Sequence, residues 1–185
     1  MPAKKVITKN QILQTAFQIA REEGMDKVNV RAIAKRCNCS TQPIYLSYAS
    51  IADIKRELDS LIIEEFNKYT FGEKDKGDYT GYKAAGMGYI RFACKERNLF
   101  KYLMMQPRIF DNGLKEKTYD KAVEIIMSDY GFKHATSDKL HAEMWVFVHG
   151  IATMYATGFM DWNEKDVSEM LTDVFLGLTS KIRSK

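Results

Sequence analysis

With 185 residues, the chain has room for one large or two small domains. Hydrophobic residues at 45% and aromatic residues at 12% can fill a core, which excludes a disordered chain. The net charge of +4 is uneven: residues 1–56 carry ten Lys and Arg against four acids (+6), and residues 57–185 carry eighteen against twenty (−2). Such asymmetry fits a chain of which one part meets phosphate, a solvated basic face being the plainer account.

In chain order, Thr8 can cap a helix over about 9–23, with Ile12, Leu13, Ala16, Phe17, Ile19 and Ala20 on its core face. Gly24 ends it in the manner of a C′ glycine. Asn29 is a good N-cap for a short helix carrying Val30, Ile33, Ala34 and Cys37 on one apolar face. Ser40 supplies a second cap for Thr41-Gln42-Pro43-Ile44-Tyr45, where Pro43 falls in the first turn and its missing N–H costs little. Two short helices joined by a tight polar turn have the form of a helix-turn-helix, whose second helix reaches base edges with its N-terminal residues. Ser50 caps a long helix over about 51–70, and a charged, glycine-containing loop follows at 72–81. Amphipathic helices are expected at about 82–96, 98–105, 114–130, 137–159 and 165–182. Pro107 and Asn112-Gly113 separate the second from the third, and Gly131 the third from the fourth.

No segment alternates like a strand, so the fold class is all-α, with about nine helices. The N-terminal part is a three-helix, helix-turn-helix DNA-binding domain (1–50). The remainder (51–185) is a larger helical domain. The uncharged run 144–160 has 17 residues, counting His149 as neutral. That is the lower limit for a membrane span, and His, Gly and Thr interrupt it, so it reads as a buried helix with no membrane role. Three cysteines (Cys37, Cys39, Cys94) make no even disulfide framework, and MPAKKVITKN has no apolar signal core. A cytoplasmic setting is expected.

Residues 8–58 resemble the tetracycline-repressor (TetR) family of transcription regulators. The resemblance rests on a capped first helix ending in Gly24, the Ile33-Ala34 pair, Ser40-Thr41-x-x-Ile44-Tyr45-x-x-Tyr48 and a long fourth helix. Two later segments are also similar to family patterns: Tyr89-Ile90-Arg91-Phe92-Ala93 followed by Asn98-Leu99-Phe100, and Trp145-x-x-x-His149-Gly150. The resemblance implies a homodimer on a double-stranded, pseudo-palindromic DNA operator, with one recognition helix per subunit. It further implies release by a small-molecule effector, with no cofactor and no catalytic residues. The chain departs from the family in the turn, where Asn38 and Cys39 replace Gly and Val; Asn tolerates the left-handed conformation needed there. It departs again at Ile51, where a lysine usually grips phosphate, and at Tyr48, where Phe is commoner. DNA binding is therefore expected to lean on Arg31, Lys35, Tyr45 and a basic arm of Lys4, Lys5 and Lys9.

Among DNA-binding candidates, Thr41 and Gln42 suit base edges: a glutamine amide pairs with adenine and a threonine methyl meets a thymine methyl. Tyr45 either offers its hydroxyl to a phosphate or is simply core. Asn29, Arg31, Lys35, Ser40 and Tyr48 complete the set, with Ser40 and Asn29 capping helices whose amide ends favour phosphate. Ile33, Ala34, Cys37, Cys39 and Ile44 are expected in the core.

The effector candidates are Phe66, Tyr89, Phe92, Phe100, Met104, Met105, Phe110, Trp145 and His149, because Met and aromatic side chains line pockets for apolar ligands. Core packing is the competing account for most of them, and His149 is either a polar anchor or a satisfied core histidine. Pairing the helices at about 137–159 and 165–182 with their two-fold mates would form a four-helix dimer interface. No metal is expected, since Cys37-x-Cys39 lacks partner ligands and His141 and His149 are too far apart. The leading function is a repressor released by a small, largely apolar ligand. An alternative keeps the same head with a cysteine-redox or protein-partner signal. A small helical enzyme is the distant alternative, for which no catalytic constellation or phosphate loop is present.

Overall fold

The computed structural model describes residues 7–72, 79, 81–106 and 114–183. These form nine α-helices and one 3₁₀ turn, without a strand among the described residues. A capping box starts α1 (Lys9–Glu23): the Gln11 amide donates to Thr8 Oγ1 at 3.2 Å, and the Thr8 amide donates to Gln11 Oε1 at 3.0 Å. Its apolar stripe buries Ile12, Ala16, Phe17, Ile19 and Ala20. Gly24 ends α1 at φ 101° and ψ 159°, a conformation open to glycine but outside the left-handed helical cap expected there. The chain then enters the 3₁₀ turn Met25–Lys27 directly.

The helix pair follows as α2 (Val30–Arg36) and α3 (Gln42–Ser47). Asn29 caps α2 by accepting from the Ala32 amide at 2.9 Å. Asn38 takes the left-handed conformation, φ 53°, at the end of α2. Its amide donates to the Lys35 carbonyl (3.2 Å) and that of Cys39 to the Ala34 carbonyl (3.0 Å). These two bonds make a Schellman closure, with asparagine doing what glycine usually does. Ser40 does not cap α3. The N-cap position belongs to Thr41, whose helical backbone (φ −73°, ψ −18°) leaves its side chain without a capping bond. A capping side chain needs an extended backbone to fold back on the first turn. The long α4 (Ile51–Thr70) starts on Ser50, whose hydroxyl accepts from the Asp53 amide at 3.3 Å.

The chain divides into two compact units, Met1–Glu65 with Asn98–Met105, and Phe66–Arg97 with Gln106–Lys185. In the first, Ile12, Ile33, Ile44, Ile54, Leu58 and Ile62 are fully buried. The short α6 (Arg97–Met104) contributes Leu99 and Phe100 to this unit. Its Asn98 amide donates to the Arg21 carbonyl at 3.0 Å, and its Tyr102 hydroxyl to Asp59 at 2.6 Å. Half-buried Arg21 also pairs with Glu65 at 3.0 Å.

The second unit holds the C-terminal end of α4 together with α5 (Gly81–Lys95), α7 (Leu114–Tyr130), α8 (His134–Thr157) and α9 (Glu164–Arg183). The α8 helix packs against α5, α7 and α9. It begins three residues before the expected start, because the Lys133 carbonyl accepts from the amides of Thr136 and Ser137, both at 3.0 Å. The end of α4 lies hard against α5 at Gly88, where a Cβ would sit 2.1 Å from the Tyr69 carbonyl oxygen. No described helix is long and apolar enough to cross a membrane.

Candidate nucleic-acid interface

The α3 helix turns Ile44 inward, 1% exposed, and Tyr48 just beyond its end is also buried. Gln42, Tyr45 and Leu46, at i, i+3 and i+4, form the opposite, solvent-facing side. Tyr45 is 58% exposed, so it is a surface residue and the core account of it does not hold. Thr41 is half-buried and Ser40 exposed. On the preceding helix, Arg31 and Lys35 are exposed and form no ion pair among the described residues. Arg36 differs, since Glu22 and Glu23 of α1 hold its guanidinium at 2.5 and 3.4 Å. Two exposed cations of α2 are thus without an ion pair among the described residues, and a third basic residue serves the fold.

Three sequence expectations change here. Tyr48 is 4% exposed and donates its hydroxyl to Glu57 at 3.0 Å, so its place is structural rather than facing a duplex. Burial, then the Glu57 carboxylate, push its phenol far above the usual range. Lys9 is likewise occupied: it pairs with Glu57 at 2.5 Å and lies 4.8 Å over the Tyr48 ring. Hydrogen bonds from Lys9 first, and from Tyr48, hold the Glu57 carboxyl below its usual value. Lys4 and Lys5 lie outside the described residues. Cys37 and Cys39 are half-buried instead of core, with the Cys37 thiol donating to Thr15 Oγ1 at 3.2 Å. Burial, and then the neighbouring Cys37, raise the Cys39 thiol above its ordinary value. Asn29 is exposed, but its side chain is spent on the Ala32 cap and on donation to the Lys27 carbonyl at 3.0 Å.

The expected effector residues fall in both units. Phe66, Tyr89, Phe92, Trp145 and His149 belong to the second, and Phe100, Met104 and Met105 to the first. Phe110 lies outside the described residues. In the second unit Phe66 meets Tyr89 and Phe92 edge-on, with ring centroids 5.8 and 5.3 Å apart. The Tyr89 hydroxyl and His149 Nδ1 are hydrogen-bonded at 2.9 Å, and Trp145 stacks on the imidazole at 5.2 Å. Burial raises the Tyr89 phenol, with a hydrogen bond from Trp145 opposing. Beside this group, buried Glu96 accepts from the Tyr69 hydroxyl at 3.4 Å. Glu96 is not among the residues singled out from the sequence, nor is a second polar cluster. There Tyr82 is hydrogen-bonded to His141 Nδ1 at 2.8 Å and the Tyr119 ring lies 4.4 Å from the imidazole. No group of three or more His, Cys, Asp or Glu suited to a metal occurs among the described residues.

Residues 12–58, the segment that builds the exposed α3 side, match the family model described as bacterial regulatory proteins, tetR family. Over that head the chain is similar to the TetR family. Solved structures similar to the chain belong to transcriptional regulators, not enzymes. A TetR-like transcriptional regulator from Rhodococcus sp. RHA1 aligns with 95% of this chain and 98% of its own, at 16% identity and TM-score 0.68. A putative transcriptional regulator from Saccharomonospora viridis, in complex with choline, aligns over 89% and 93% at 16% identity and TM-score 0.63. The fatty acid degradation regulator FadR from Bacillus halodurans aligns over 92% and 98% at 17% identity and TM-score 0.58. At these identities the likeness is one of fold. It extends the TetR-type architecture, a helix-turn-helix head followed by a helical domain, over nearly the whole chain. No curated protein matches the chain in sequence.

Proposed function

We propose that this protein is a TetR-family transcriptional repressor released from its operator by a small, largely apolar ligand. The observation that carries the DNA-binding half is the exposed side of α3, with Gln42 and Tyr45 outward, and supporting it are Arg31 and Lys35 of α2, exposed and without an ion pair among the described residues. Gln42 and Thr41 read bases, while Tyr45, Arg31 and Lys35 position the head on phosphates. Residues 1–50 act as the DNA-binding domain and 51–185 as the ligand-binding and dimerisation domain, in the cytoplasm. The ligand sits among the aromatic side chains of the second domain, with Phe66, Tyr89, Phe92, Trp145 and His149 as its nearest candidates. The choline bound to the Saccharomonospora viridis regulator supports ligand capture within such a fold. Release follows if the effector prefers the conformer that binds operator less well, since only differential affinity moves the equilibrium.

Two copies pair through α8 and α9. Val146 and Leu176 are 68% and 58% exposed, and Trp145 is also exposed. A Cβ at Gly150 or Gly177 would meet no atom within 4 Å, which leaves room for a second backbone. These features support a two-fold, four-helix contact that presents two heads to a pseudo-palindrome. A signal through Cys37 and Cys39 is the weaker reading, because burial raises the Cys39 thiol and leaves little reactive thiolate there at neutral pH. Binding of the folded protein to the duplex flanking its own gene, followed across a salt series, tests the proposal. Binding should weaken steeply with salt, and an effector should release it. Absence of salt-sensitive binding to any duplex would overturn the regulator reading.

A further inference from the structure

Leu46 is 81% exposed, the highest value for a large hydrophobic side chain among the described residues. A lone exposed leucine is ordinary on a protein surface. This one shares the solvent side of α3 with Gln42 and Tyr45, so the duplex that covers those two residues would cover it as well. So exposed a side chain adds little to folding, and almost any polar residue would serve the fold as well. The exposed cations Arg31 and Lys35 of α2 offer attraction that is blind to sequence. Leu46 offers only apolar contact, and on the major-groove edge the group that rewards such contact is the C5-methyl of thymine.

We propose that Leu46 is a specificity-determining residue, packing its side chain on the C5-methyl of one thymine in each operator half-site. The inference rests on α3 being the DNA-reading helix. Thr41 is the other side chain suited to a thymine methyl, but it stands five positions earlier at the N-cap and is half-buried. The two residues therefore serve different bases, and their variants separate the effects.

The test uses the full chain to select duplexes from a randomised pool, then replaces each thymine of the selected duplex singly with deoxyuracil. That change removes the methyl and keeps the pairing. One symmetry-related thymine should emerge whose replacement weakens the parent protein about fourfold per half-site. Leu46→Ala should bind the unmodified duplex about as weakly, and should be indifferent to deoxyuracil at that position. Leu46→Met should retain the sensitivity, and Thr41→Ser should leave it unchanged. Equal sensitivity of the parent and Leu46→Ala at every thymine would overturn the proposal, as would a duplex in which no thymine methyl matters. In both cases duplex binding itself persists, so the DNA-reading role of α3 would stand. Loss of all salt-sensitive duplex binding by the parent would overturn both.

Discussion

The outer side of α3 and the aromatic core of the larger unit use large side chains in opposite ways. In the head, Tyr45 and Leu46 stand in solvent on one side of a six-residue helix. In the larger unit, Phe66 and Phe92 are fully buried, and the polar tips of Tyr82 and Tyr89 are each bonded to a histidine. A buried hydroxyl must find a partner inside the protein, because leaving it unpaired is costly. An outward side chain can wait for its partner to arrive. The contrast separates a surface completed by a second molecule from a core in which Tyr82 and Tyr89 each already hold a histidine.

The comparison breaks most visibly where the aromatic core is emptied. Phe66→Ala removes a fully buried ring with edge contacts to Tyr89 and Phe92, and should cost about 3–5 kcal/mol in chemical denaturation. A loss under about 1 kcal/mol would mean that the core is loose enough to collapse around the gap. Next in size is the acid response of His141. Burial lowers its pKa from 6.5 to about 4, against the opposing charge of Asp138, and Tyr82 and Tyr119 face it from α5 and α7. A depressed folded value means that the unfolded chain takes up the proton first. This contribution is therefore fully present above about pH 6.5 and is lost as pH falls toward about 4, by roughly 3 kcal/mol over that window. Melting temperatures followed from pH 7 to 4 should show the decline, and His141→Gln should flatten it. An unchanged slope in that variant would assign the acid sensitivity to other groups.

In the head, the same kind of truncation should leave stability nearly untouched and act on binding. Gln42→Ala and Tyr45→Ala should each weaken specific operator binding by about 1–3 kcal/mol in fluorescence anisotropy, with little change in melting. A destabilised Tyr45→Ala would contradict its outward placement and erase the contrast with Tyr89. The smallest effect belongs to the cap of α2. Asn29→Ala loses the bond to the Ala32 amide and should cost about 1 kcal/mol of stability, lowering affinity only through the loosened helix pair. An Asn29→Ala protein of parental stability but with sharply reduced operator affinity would make Asn29 a direct DNA contact.

What was legible in advance follows from how far each determinant reaches along the chain. Thr8, Asn29 and Ser50 cap helices through bonds to amides three residues on, and the left-handed Asn38 closes α2 onto carbonyls three to five residues back. Chemistry confined to one turn can be read from one turn of sequence. The failed cap at Ser40 marks the limit of that rule, because the residue next to it took a helical backbone and α3 began two positions later.

The sequence by itself determined the all-helical architecture, the positions of the long helices and the helix-turn-helix head, since caps, apolar periodicity and charge are local properties of the chain. Only the tertiary structure decided which of two tyrosines three residues apart faces solvent, and that Lys9 belongs to Glu57 and Tyr48. It also assigned Phe100 to the head, paired Tyr89 with His149, and left Leu46 uncovered beside Gln42. Each of these depends on contacts between residues far apart in sequence, or on their absence, and local pattern carries no record of them.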